Sequence, residues 1–264
     1  MQTVHLNDVL MTYTETGAPD APPLLLLSGW CQDRRLFKNL APLLAERFHV
    51  ICLDWRGHDP KQTDSGDFSA LDLADDLLAF IDFKGLDPVR LVSTSHGCWV
   101  NLEACERLGS KRLPRTVVID WLMQPHQGFW QQLAQGQHPT DYASGRQSFF
   151  DEWAASTDNA DVLEHLRDEM PGFDGAMWRR ACREIELCYR RWGSPLERMS
   201  SIADKPLVRH IYSQPLDPGY RRMQQDFAAE HSWFEPCHIP GNTHFPTLEN
   251  PQAVARAIDE FFCA

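Results

Sequence analysis

Leu91-Val92-Ser93-Thr94-Ser95-His96-Gly97-Cys98-Trp99 runs from a buried-strand pattern into a helical one through a serine. Such a turn exposes the serine at its tip, as a nucleophile elbow of the G-x-S-x-G type requires. Small residues are needed two positions before and two after the serine, because strand and helix approach closely there. Gly97 meets the second requirement, and Ser93 stands where the first glycine is usual. A serine that merely caps a helix after a strand gives a similar pattern. Gly241-Asn242-Thr243-His244-Phe245-Pro246-Thr247-Leu248-Glu249 then sets a histidine on a loop between the last strand and the last helix. A lone loop histidine is ordinarily a solvated side chain. Following a serine elbow in the chain, it has the position of a general base, and the pair suits acyl transfer or proton abstraction.

Two further segments fit this reading. Ser28-Gly29-Trp30-Cys31 follows the first long apolar run. In an α/β-hydrolase fold that loop gives one oxyanion amide and the residue after the serine gives the other, here the backbone N–H groups of Trp30 and His96. Asp54-Trp55-Arg56-Gly57-His58 has the form of an architectural D-x-R-G-x turn. The acid partner of His244 stays open. The usual chain order, serine then acid then histidine, slightly favours Asp217, whereas Asp120 ends an earlier strand and also fits as a partner for the histidine.

The elements that must carry these residues are legible as periodicities. Two hairpin-like segments at 3–6 and 10–15 open the chain. Continuous apolar runs at 23–29, 49–54, 89–93 and 116–120 suit strands buried on both faces of a parallel sheet. Helical spacing at 36–48, 69–83 and 99–108 alternates with them, and acids at Asp72, Asp75 and Asp76 favour the start of the second helix. Strand patterns return at 206–212 and 233–239, and a helix is expected over 251–262. Between 123 and 200 the chain is polar, helical and rich in tryptophan (Trp130, Trp153, Trp178, Trp192). The expectation is an α/β-hydrolase fold: a mainly parallel, doubly wound sheet formed by 1–122 and 201–264, with 123–200 inserted as a helical cap.

Composition narrows the function class. The 264 residues carry 43% hydrophobic side chains and a formal charge of −12, which disfavours nucleic acid and anionic membranes as partners. No apolar stretch is long enough to span a bilayer, and the N-terminus lacks the basic and apolar regions of a secretion signal. The eight cysteines form no C-x-x-C pair and read as reduced thiols of a cytoplasmic protein. No G-x-G, no H-E-x-x-H and no histidine followed two residues later by Asp or Glu occurs, so no nucleotide, flavin or metal cofactor is expected.

Taken together, Ser28-Gly29-Trp30, Ser93-Thr94-Ser95-His96-Gly97, Ile119-Asp120-Trp121, the segment from Tyr212 to Tyr220 that includes Asp217, and Gly241-Asn242-Thr243-His244-Phe245-Pro246 resemble the cofactor-free 2,4-dioxygenases that cleave 3-hydroxy-4(1H)-quinolones. The likeness spans essentially the whole chain. It implies ring cleavage of a small heteroaromatic by O2, with release of carbon monoxide and N-formylanthranilate and with no cofactor. It also implies that His244 is the base, that Asp120 rather than Asp217 pairs with it, and that Trp30, His96 and Trp153 line the substrate pocket. Ser95 then assists the substrate hydroxyl instead of forming an acyl-enzyme. The alternative is a carboxylesterase or C–C bond hydrolase using Ser95, His244 and either acid. A monomer is expected.

Overall fold

The computed structural model describes residues 1–59 and 66–263. Eight strands, β1 (Gln2–Leu6), β2 (Val9–Thr16), β3 (Pro23–Leu27), β4 (His49–Leu53), β5 (Arg90–Thr94), β6 (Arg115–Ile119), β7 (Leu207–Tyr212) and β8 (Phe234–His238), form one sheet in the order β1-β2-β4-β3-β5-β6-β7-β8. The β1–β2 hairpin turns through Asn7 and Asp8, both at positive φ, as a tight hairpin demands. β2 meets β4 antiparallel, and every later pairing is parallel.

The apolar runs explain the parallel arrangement. In β3, β4, β5 and β6 four of the five residues are buried, without alternation, so both faces of each strand must be covered. Helices α1 (Leu40–Leu44), α2 (Ala70–Phe83), α3 (Cys98–Arg112) and the last helix do the covering, α2 packing with α3 and α1 with the C-terminal helix. Ser69 caps α2 in a reciprocal pair with Asp72, satisfying two backbone N–H groups at its start. The long helix expected over 36–48 is instead a 3-10 turn at Arg34–Phe37 followed by the short α1. Pro42 explains the break, since its ring would meet the Lys38 carbonyl in a continuous helix.

Between β6 and β7 the chain makes helices only: α4 (Gln127–Gly136), α5 (Tyr142–Ala155), α6 (Ala160–Glu164), a π turn at His165–Glu169, α7 (Gly175–Trp192) and α8 (Pro195–Ser201). Three more follow, α9 (Pro218–Glu230), α10 (Pro246–Glu249) and α11 (Pro251–Cys263). The apolar pattern does not announce α9. Its start is nevertheless written in Asp217-Pro218, a capping side chain followed by proline at the first helical position. All eight cysteines are unpaired thiols, and no helix among the described residues is long and apolar enough to cross a membrane.

The register sets up the site. Leu27 pairs with Ser93, Thr94 with Ile119, and Ile119 with Ile211, so β3, β5, β6 and β7 end nearly level. Ser28, Ser95, Asp120 and Ser213 therefore leave neighbouring strands at their carboxyl ends, where ligands bind in open parallel sheets.

Candidate active site

Ser95 sits at φ 50°, a left-handed conformation that non-glycine residues occupy only when their surroundings hold them there. The surroundings are close. A Cβ on Gly97 would lie 2.2 Å from the Ser28 carbonyl oxygen, and one on Gly29 would lie 3.0 Å from Cβ of Ser95. Glycine at these two positions lets the β3 loop and the elbow touch. Ser93 at the usual first-glycine position is accommodated by a buried polar network: Asn101 Nδ2 donates to its hydroxyl at 2.8 Å, and that hydroxyl lies 3.2 Å from the Cys98 sulfur.

His244 bridges the elbow and the end of β6. Its Nε2 lies 2.8 Å from Ser95 Oγ, and its Nδ1 lies 3.2 Å from Asp120 Oδ1. An ionised carboxylate only accepts, so Nδ1 carries the hydrogen and Nε2 presents a lone pair to Ser95. Asp120, itself at φ 45°, is held on its other oxygen by the Ser213 N–H at 3.1 Å and the Ser213 hydroxyl at 2.8 Å. Ser213 follows β7, where the acid of such a fold usually stands. The carboxylate has thus moved one strand inward, and a serine at the customary place steadies it. The histidine loop is fixed by Glu249, whose carboxylate accepts from the N–H groups of Asn242 and Thr243 and from the Thr243 hydroxyl. Ser213 and Glu249 belong to no chemical motif in the sequence; the signal for Ser213 is its position directly after a buried strand.

Asp217 is placed elsewhere. Its Oδ1 accepts the Tyr220 N–H at 2.8 Å, capping α9, and the side-chain partners of the His244 ring are Asp120 and Ser95. The β3 loop turns through Cys31 at φ 56°. It is closed by Gln32, which accepts from the Gly29 N–H at 3.0 Å and from the Ser28 hydroxyl at 2.9 Å. Three of the five non-glycine residues at positive φ among those described, Cys31, Ser95 and Asp120, therefore surround one spot.

That spot opens into a cavity of about 420 Å³ whose lining includes Trp30, Ser95, His96, Asp120, Trp153 and His244. The opposite wall is mostly apolar and comes from the helices between β6 and β7, with Phe129, Leu133, Trp178 and Ile185. Trp153 lies nearly parallel to the His244 ring, 5.4 Å between centroids and 13° between planes. His96 stacks on Phe129. Burial, reinforced by repulsion from His244, depresses its pKa to about 3, so it is a neutral ring in the wall. His210, buried behind Asp120, has its pKa depressed to about 4 by burial; its Nε2 lies 3.3 Å from the Trp121 amide nitrogen. Among the described residues no three His, Cys, Asp or Glu side chains converge to hold a metal ion.

This arrangement can remove a proton from a bound hydroxyl, stabilise the resulting anion and shield it from water. Comparison with known proteins connects it to a chemistry. Residues 24–257 match the model of the alpha/beta hydrolase family. The chain is 70% identical, over 100% of both sequences, to 1H-3-hydroxy-4-oxoquinoline 2,4-dioxygenase of Pseudomonas putida. It is 36% identical to 2-heptyl-3-hydroxy-4(1H)-quinolone dioxygenase of Mycobacteroides abscessus, over 97% of this chain and 96% of that one. A solved structure of 1H-3-hydroxy-4-oxoquinoline 2,4-dioxygenase superposes with a TM-score of 0.97 over 99% of this chain and 100% of its own. The fold expected from the strand runs and the elbow is the fold observed, and the chain belongs to the alpha/beta hydrolase family and, within it, to the 3-hydroxy-4-quinolone 2,4-dioxygenases.

Proposed function

We propose that this enzyme cleaves the nitrogen-containing ring of 3-hydroxy-4(1H)-quinolone with O2, giving carbon monoxide and N-formylanthranilate, and that His244 starts the reaction by taking the 3-hydroxyl proton. Direct reaction of triplet O2 with a closed-shell molecule is spin-forbidden, so the substrate must first become electron-rich enough to give up one electron. Proton removal by Nε2 of His244 makes that anion. The imidazolium formed is stabilised through its Nδ1–H by Asp120, which also holds the ring in orientation. One electron passes from the anion to O2, the two radicals combine at C2, and the peroxide attacks C4. Collapse of the bridged peroxide expels C3 as carbon monoxide. One quinolone and one O2 thus become one CO and one N-formylanthranilate, with all four oxygens accounted for and no external reductant.

Within this reading the backbone N–H groups of Trp30 and His96 serve the developing oxygen charge. The helices between 123 and 200 act as a cap that packs a flat ring system and keeps water away from the anion. Ser95 offers its hydroxyl to the substrate oxygen or relays the proton. Unpaired cysteines suit a reducing cytoplasm, and a site complete in one chain suits a monomer.

The observation that carries the reading is the single imidazole held between Asp120 and Ser95 at the cavity. The 2.8 Å contact between Ser95 Oγ and His244 Nε2 also favours a second reading, ester hydrolysis through an acyl-serine. An oxygen electrode with 3-hydroxy-4-quinolone and chelator-treated protein separates the two. One O2 consumed per CO released supports ring cleavage. Turnover of nitrophenyl esters with no O2 uptake on the quinolone would overturn it.

A further inference from the structure

The His244 ring is held at both nitrogens by the sheet side of the molecule, and Trp153 covers one of its faces from the helical side. The two planes lie within 13° of each other at 5.4 Å between centroids, inside the range where an indole face attracts a cation. Trp153 is itself fixed. Phe149 packs against it at 5.4 Å, and Phe245 meets it edge-on at 5.3 Å with the planes at 87°. Phe245 in turn touches His165 of the π turn at 5.1 Å. The loop that carries the base is therefore gripped by two rings of the inserted helices, Trp153 and His165. A wall residue needs only to present area to a substrate; it has no need to lie parallel to the base.

We propose that Trp153 is a positioning residue for the base: its indole face stabilises His244 as an imidazolium, and thereby draws the proton-transfer equilibrium with bound substrate toward the substrate anion. This rests on His244 being the base. The cation appears at the moment the substrate proton is taken, so stabilising it strengthens His244 as an acceptor without any contact between Trp153 and the reacting oxygen. The cap then does more than exclude water, since its helix α5 tunes the proton affinity of a residue on the sheet side of the cavity.

Other ionisable groups share the cavity and must be kept constant in a test. They are Asp120 after β6, His96 of the elbow, His126 before α4, Glu152 next to Trp153 on α5, Cys31 of the β3 loop and Cys182 of α7. Trp153→Leu leaves all of them in place and keeps the wall apolar. The measurement is the pH midpoint of His244 in the substrate-free enzyme, followed by histidine NMR and assigned by comparison with His244→Gln. Loss of the indole face is expected to lower the midpoint by about half to one pH unit in Trp153→Leu, with a smaller drop in Trp153→Phe. The alternative that Trp153 only fills space predicts no change, or a rise as water enters and eases the charging of the ring. Either result in folded protein would overturn the proposal. Should Trp153→Leu not fold, Trp153→Phe alone decides by the same sign. The difference in tryptophan fluorescence between the parent enzyme and Trp153→Phe should titrate with the His244 midpoint, and a flat difference would count against the stack. Because substrate is absent, failure here leaves ring cleavage untouched, and failure of ring cleavage leaves this measurement readable.

Discussion

On the sheet side of the cavity the groups proposed to handle protons are fixed by directional bonds at strand ends, whereas on the helical side the wall is mostly aromatic and aliphatic and is fixed by ring packing. Asp120 takes hydrogen bonds from His244 and twice from Ser213, and the His244 loop is tied down by Glu249. Opposite them, Phe129, Leu133 and Ile185 offer surface and no proton chemistry. Proton transfer tolerates misplacement of only a fraction of an ångström, so its groups need hydrogen bonds and a rigid sheet. Recognition of a flat ring needs shape and apolar area, which packed helices provide. Damage to the two sides should therefore read out in different kinetic constants.

The largest effect belongs to His244. His244→Ala should lower kcat on the quinolone by about 10³- to 10⁴-fold with KM within a few fold, the loss associated with a missing general base; steady-state O2 uptake measures both constants. Next come the two candidate acids. Asp120→Asn keeps the shape but exchanges an ionic acceptor for a neutral amide, and kcat should fall on the order of 10²- to 10³-fold. Asp217→Ala should leave kcat unchanged and cost only about 1 kcal/mol of stability, the worth of a helix cap, measured by urea unfolding. Equal losses of activity in the two variants would break the assignment. On the helical side, Leu133→Ala removes apolar area from the wall. It should raise KM by about 10-fold with kcat within about 3-fold. A pure kcat effect there would erase the contrast between the two sides.

A smaller and global effect concerns acid stability. Burial holds His58 and His210 at pKa values of about 4 and His96 at about 3. An unfolded histidine protonates at about 6.5, so between there and about 4 the unfolded chain takes protons that the folded one refuses, and stability falls as pH drops. Asp54 acts in the opposite sense, since burial pushes it up to about 7 against its pairing with Arg34, and the folded state gains a proton there. Three sites outweigh one. Thermal melts should show Tm falling steadily from pH 6.5 to pH 4.5. A flat or rising Tm would contradict neutral buried rings at these three positions.

The contrast between the two sides also governs how much was legible in the sequence. Strand runs such as Leu24–Leu27 and Val50–Leu53 declare a doubly covered sheet, because burial on both faces leaves only apolar residues. The elbow and the histidine loop were legible because their residue types are dictated by close approach and by chemistry. Position alone leaves Asp120 and Asp217 open, since both follow strands; the family resemblance points to Asp120, and the bonds that single it out run from His244 and, across the sheet, from Ser213. The latter is a contact between β6 and β7, and no local pattern encodes it. The helix α9 leaves little trace in the apolar pattern because it is mostly exposed, although Asp217-Pro218 marks its start. Tryptophans between 123 and 200 mark a helical stretch rich in aromatic side chains. Which of them would lie over the histidine depended on helix packing alone, and there only the resemblance to a family pointed to Trp153.

Ring cleavage without an acyl-serine requires that His244, and not Ser95, take the substrate proton. Absorbance spectra of 3-hydroxy-4-quinolone bound without O2 read this directly, since the anion and the neutral molecule absorb differently. The parent enzyme and Ser95→Ala should both bind the substrate as its anion, and Ser95→Ala should lose only about 10-fold in turnover once O2 is admitted, the worth of one hydrogen bond. His244→Ala should bind the neutral molecule. An anion bound to His244→Ala, or a Ser95→Ala enzyme as dead as His244→Ala, would contradict the assignment of His244 as the base.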